Sequence, residues 1–102
     1  MTTSRRAAFL DVRWREAFLK AYSLLPADRQ RSCDEVAIAL VKQEPTPGHR
    51  VKPILPEKYF YEARISSGDR IVFRVEAGTI FFYDIVKHDD IARYSKSPRT
   101  VR

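Results

Sequence analysis

From Val12 to Leu25 the large apolar residues Trp14, Phe18 and Tyr22 recur every fourth position, with Ala17, Ala21 and Leu25 beside them. Arg13, Arg15, Glu16 and Lys20 fall largely off that stripe, which is the signature of one helix face. Asp11 stands where an N-cap belongs, and Ala7–Leu10 reads as a short strand or a lead-in. Pro26 breaks the helix and suits the first turn of the next. There Cys33, Val36, Ala37, Leu40 and Val41 fall at i, i+3, i+4, i+7 and i+8, a stripe that docks one side of a second helix. The spacing predicts an αα-hairpin over about residues 12–43.

Glu44-Pro45-Thr46-Pro47-Gly48 ends the helical pattern, and the period then changes to two. Tyr59–Ile65, Arg70–Glu76 and Thr79–Lys87 alternate, with turns at Ser66-Ser67-Gly68-Asp69 and Ala77-Gly78. Three such runs joined by tight turns predict an antiparallel meander. The fold class is α+β: an N-terminal αα-hairpin packed on a curved antiparallel β-sheet. Aromatic residues on both sides of Thr79–Lys87 predict a strand covered on both faces, with Ile80, Phe82, Asp84 and Val86 on one side. If the helices take the apolar faces, Glu62, Arg64, Arg70 and Arg74 project together onto an open concave surface. That requires an odd number of residues, or a bulge, in the Ile65–Asp69 connection, because a one-residue slip flips every side chain.

The 102-residue chain is long enough for a single core, here residues 7–96, flanked by a flexible 1–6 and a basic flexible tail at 97–102. It holds 19 Lys+Arg against 13 Asp+Glu, a net charge of +6, which favours a polyanionic partner without choosing one. The single Cys33 suits a reducing compartment, and no apolar run spans a bilayer, so a cytoplasmic protein is expected. Two histidines and one cysteine supply no metal cluster, and His49 reads as a loop residue.

Beyond the third strand comes Val86-Lys87-His88-Asp89-Asp90, with Tyr94 six residues after His88. A carboxylate, arginines, a histidine and a tyrosine on one face suit a phosphodiester. Guanidinium binds phosphate bidentately, carboxylate and imidazole move protons, and tyrosine bonds phosphate or stacks on a base. The same residues also have plainer readings. Glu62 and Arg64 can form a solvated face of cross-strand ion pairs, Arg70 a solvated turn residue, His88 a helix N-cap, and Tyr94 a packing residue at the sheet edge.

The order of the two helices, Arg50-Val51-Lys52-Pro53-Ile54-Leu55, Tyr61-Glu62-Ala63-Arg64-Ile65, Gly68-Asp69-Arg70-Ile71-Val72-Phe73-Arg74-Val75 and Lys87-His88-Asp89-Asp90 resembles the RelE/ParE toxin superfamily, over about residues 9–96. The resemblance implies the toxin of a type II toxin–antitoxin system, a ribosome-dependent mRNA endoribonuclease that needs no metal or small-molecule cofactor. Attack by the ribose 2′-OH leaves a 2′,3′-cyclic phosphate. Carried over from YoeB-like members, Glu62 is the base, Arg70 the phosphate-stabilising arginine and His88 the acid. Tyr94 matches a substrate-orienting tyrosine, and Arg64, Arg74 and Lys52 hold backbone phosphates. The implied partners are an acidic antitoxin lying across the concave face, the ribosome and mRNA, with no membrane. ParE-type members share the fold, inhibit DNA gyrase and lack the ribonuclease set. A non-catalytic binder, or a basic RNA-binding domain without chemistry, therefore remains the alternative.

Overall fold

The computed structural model describes residues 9–96, so the expected flexible ends at 1–6 and 97–102 lie outside the described residues. In chain order the elements are β1 (Asp11–Trp14), α1 (Glu16–Ser23), α2 (Ala27–Val41), a 3-10 turn (Pro47–His49), β2 (Lys52–Pro53), β3 (Tyr61–Arg64), β4 (Asp69–Glu76), β5 (Thr79–Lys87) and a C-terminal 3-10 segment (His88–Tyr94). The strands form one sheet in the order β1-β5-β4-β3-β2. The architecture is α+β, with both helices packed on one side of the sheet.

The helical hairpin is shorter than its stripe predicts. Asp11–Trp14 is a strand running parallel to β5, Val12 facing Ile80 and Trp14 facing Phe82, so the sheet is mixed and Asp11 caps no helix. Trp14 and Phe18 still stack, their rings 6.2 Å apart, because a strand residue and a helix residue meet across the β1–α1 corner. A spacing of four survives such a corner, which is why the pattern alone reads as continuous helix. The second helix carries its predicted stripe inward: Cys33, Val36 and Leu40 are buried, with Ala37 and Val41 packed beside them.

The meander keeps its three strands: β5 has the predicted span, β4 gains Asp69 from the expected turn, and β3 is shortened to Tyr61–Arg64. Ala77 and Gly78 both have positive φ (51° and 81°), so the two-residue turn between β4 and β5 matches the twist of its strands. Arg64 pairs directly with Arg70, leaving five residues between them, the odd number that the shared face requires. Glu62, Arg64, Arg70, Val72 and Arg74 therefore share one face, and Ala63, Ile71 and Phe73 the other. The second face meets Phe18, Cys33, Val36 and Leu40 of the helices together with Ile80, Phe82 and Ile85. Truncating the 1%-exposed Phe82 to alanine would cost about 3–5 kcal/mol.

In β5 the expected alternation fails. Val72 pairs with Asp84 but Phe73 with Phe82, so Tyr83 is an extra residue, and the bulge moves Asp84 and Val86 off the side shared by Ile80 and Phe82. The face away from the helices is also not open throughout. A second apolar layer covers part of it: Ile54, Phe60, Val72 and Val86, flanked by Tyr59, Tyr83, Ile91 and Tyr94. β5 is thus covered on both faces, as its aromatic residues predict.

Candidate active face

The side chains proposed from the sequence reach this face from β2, β3, β4 and the C-terminal segment. Glu62 is only 6% exposed and accepts an ion pair from Arg70, Nε to Oε1 at 3.5 Å. Arg70 reaches round the β3–β4 turn, where its Nη1 donates to the carbonyls of Ser66 (2.8 Å), Ser67 (3.3 Å) and Asp69 (3.1 Å). Burial pushes the Arg70 guanidinium below its usual pKa; Glu62 opposes that shift, and Arg64 and Arg50 add to it. It stays charged, since a guanidinium does not deprotonate in proteins.

The same turn holds His88. Its backbone N–H donates to the Gly68 carbonyl at 2.8 Å, which sets the 3-10 segment against the turn that Arg70 grips. The imidazole itself is 60% exposed, with Nδ1 3.5 Å from the Asp89 carboxylate. Lys87 is the N-cap position of that segment and no side chain caps it, so His88 is a first-turn residue. Lys52 faces Glu62 across β2–β3 and is exposed, and Arg64 faces Arg70. Around one buried carboxylate the face thus gathers Lys52, Arg64 and Arg70, a field that can hold a phosphodiester while a carboxylate and an imidazole exchange protons.

Tyr94 and Arg74 sit differently. Tyr94 donates its hydroxyl to Asp84 Oδ2 at 2.7 Å and sets its ring edge-on to Phe60, centroids 5.2 Å apart. Burial and then that hydrogen bond raise the phenol pKa. Arg74 lies over Tyr59, its guanidinium carbon 3.8 Å from the ring centroid. Its Nη1 donates to the Tyr59 carbonyl at 2.9 Å, and its Nε meets Glu76 at 3.2 Å.

Three neighbours escape the sequence reading. Asp84 accepts from Tyr94, and from Ile85 N–H at 2.8 Å, and stands 3.7 Å from Arg93; only the bulge brings it to this face. Arg15 lies 5.3 Å over Tyr83, a position open to it because Asp11–Trp14 is a strand. Arg50 acts on Arg70 from its left-handed position after the 3-10 turn. No motif marks Asp84 or Arg15 for this face, and Arg50, which opens the Arg50–Leu55 motif, carries no role of its own there.

No family model matches the chain, and no curated protein does. Solved structures do. A copper-bound L66S mutant toxin from Helicobacter pylori superposes with a TM-score of 0.69 at 21% identity, over 79% of this chain and 97% of that one. The Escherichia coli DinJ–YafQ toxin–antitoxin complex gives 0.69 at 10% identity, over 78% and 93%. The RelBE2 toxin–antitoxin complex from Mycobacterium tuberculosis gives 0.63 at 20%, over 82% and 97%. Nearly the whole length of each of these chains is matched. The chain has the RelE-like toxin fold.

Proposed function

We propose that the chain is the toxin of a type II toxin–antitoxin pair and cleaves mRNA on the ribosome. The observation that carries this reading is the Glu62–Arg70 contact of 3.5 Å, flanked by Lys52 and Arg64 and tied through the Gly68 turn to His88. Glu62 takes the proton of a ribose 2′-OH as that oxygen attacks the adjacent phosphorus. The P–O5′ bond breaks, and His88 protonates the departing 5′-oxygen. The products are a 2′,3′-cyclic phosphate and a 5′-hydroxyl. Arg70, with its neighbouring cations, stabilises charge on the non-bridging oxygens in the transition state. Because side chains supply acid, base and charge, the reaction is written as metal-independent. Lys52 and Arg64 hold flanking phosphates.

The partner is an acidic antitoxin. DinJ–YafQ and RelBE2 are toxin–antitoxin complexes, and a cationic face of this kind is electrostatically complementary to an acidic chain. A second reading is a non-catalytic binder of the same fold. It draws on the burial of Glu62 in its ion pair and on the three turn carbonyls that occupy Arg70.

The test is mRNA cleavage on programmed ribosomes by the wild type, Glu62→Gln and His88→Gln, with mapping of the 3′ ends. Cyclic-phosphate ends from the wild type, lost in both variants, establish the ribonuclease. Absence of cleavage by folded wild type moves the assignment to the binder, with gyrase inhibition as its assay.

A further inference from the structure

Arg74 belongs, on charge alone, with the phosphate-holding cations, yet its geometry fits that role poorly. Two of its guanidinium nitrogens already have partners in the protein: Nη1 donates to the Tyr59 carbonyl at 2.9 Å and Nε to the exposed Glu76 carboxylate at 3.2 Å. Bidentate phosphate binding would compete with those bonds. The guanidinium carbon meanwhile lies over the Tyr59 ring, 3.8 Å from its centroid, with the side chain 23% exposed. Beside it Tyr83 carries Arg15 at 5.3 Å, and Tyr59 is close enough to Tyr83 to raise its phenol pKa after burial has done so.

Phe60 sits behind both tyrosines and fixes them, edge-on to Tyr59 at 4.8 Å and to Tyr83 at 4.7 Å. Phe60 is 3% exposed, so it backs the two tyrosine rings before any ligand arrives. Arg74 lies four residues along β4 from Arg70 on the same face, a separation of about 13 Å. The array therefore borders the Glu62–Arg70 site without being part of it.

We propose that Arg74–Tyr59 and Arg15–Tyr83 form a stacking platform for unpaired nucleobases of RNA, next to the phosphate-handling site. The ligand class is single-stranded RNA with accessible base faces; stacking on aromatic rings and guanidinium planes is sequence-tolerant. Two hydrogen bonds and the Tyr59 ring hold Arg74 in place, which lowers the ordering cost that an unpartnered surface arginine meets on binding. The proposal rests on the reading of this face as an RNA site, but it requires neither cleavage nor the ribosome.

The experiment measures equilibrium binding, by fluorescence anisotropy at one fixed salt concentration, of two labelled probes of equal length: hexaadenylate RNA and an abasic ribose-phosphate hexamer. Both carry the same phosphates, so they separate base stacking from charge. The wild type is expected to bind hexaadenylate at least ~10-fold more tightly, as one stacked base is worth about 1–3 kcal/mol. Arg74→Lys keeps the charge and loses the plane. It is expected to weaken hexaadenylate by ~10-fold and the abasic probe by less than ~2-fold, with Tyr83→Ala following the same pattern.

Equal wild-type affinity for the two probes overturns the platform. So does an Arg74→Lys variant that binds both probes as the wild type does, since Arg74 is then a point charge. Thermal melts of each variant identify a loss caused by unfolding, which weakens both probes alike; the variant that melts normally then decides, and a folded Tyr83→Ala that binds both probes as the wild type does overturns the platform. Base-dependent binding without ribosomal cleavage leaves the platform standing and removes the ribonuclease.

Discussion

Asp69 and Arg70 are adjacent in the chain and serve opposite faces of the sheet. Asp69 is 3% exposed and meets Arg29 of α2 at 3.4 Å and Lys87 of β5 at 3.2 Å, while Ser66 Oγ donates to it at 3.0 Å. Arg70 points the other way, to Glu62. One turn thus fastens the helical layer and carries the candidate active arginine.

Asp69→Asn should therefore loosen both faces. It weakens two ion pairs whose cations are 41% and 66% exposed, so solvent screening limits the cost to about 1–3 kcal/mol. Each kcal/mol lowers Tm by about 4–8 °C in a domain of this size. Thermal denaturation checks this; an unchanged Tm would show that the turn is held by its backbone alone.

His88→Gln separates chemistry from stability. The imidazole is 60% exposed and its pairing with Asp89 is weak, so stability should change by less than the ~0.5 kcal/mol typical of surface changes. Cleavage on ribosomes should fall by about 10²–10⁴-fold if His88 is the acid.

Glu62→Gln acts on both. It removes the counter-ion of a mostly buried arginine at an expected cost of about 1–3 kcal/mol, and it removes the proposed base. Cleavage should fall even at a temperature where circular dichroism shows the variant fully folded. Full activity in that folded variant would reassign the base.

Tyr94 gives an alkaline prediction. Its phenol pKa is raised above the usual 10.0 by burial and by the Asp84 hydrogen bond. The folded state thus favours the protonated phenol, and this contribution is fully present below pH 10 and lost as pH rises through the higher folded-state value. Tyr94→Phe should lower stability by about 1 kcal/mol near neutrality and flatten the stability difference between pH 9 and 11. Chemical denaturation at several pH values reads this directly; parallel curves for the two proteins would refute it.

Cys33 should be inert in the native state. Burial first, then the negative charges of Asp34 and Asp69, push its thiol up to about 12, and the residue is 1% exposed. The thiolate is the reactive form, so labelling by a disulfide reagent at pH 8 should follow unfolding, not simple collision. Stoichiometric labelling within the mixing time would contradict the buried position.

Local pattern was enough for much of this protein. The period-3.6 stripe of Cys33, Val36 and Leu40, the three meander strands and the Ala77-Gly78 turn are all short-range properties, each depending on residues a few positions apart. The shared face of Glu62, Arg64, Arg70 and Arg74 needed more: a four-residue Ser66–Asp69 turn leaves it open, and the Arg64–Arg70 pairing decides it. What depended on distant partners was not legible. Asp11–Trp14 is a strand because the free edge of β5 offers it hydrogen bonds, and no spacing within residues 11–14 records that edge. The extra residue at Tyr83 exists only relative to β4, yet it decides that Asp84 meets Tyr94 and that Tyr83 joins Phe60. Residue chemistry and the period of each strand are written along the chain. Which charge is buried and which arginine lies over a ring are decided only when separated segments pack together, because burial and stacking belong to pairs of surfaces and not to single positions.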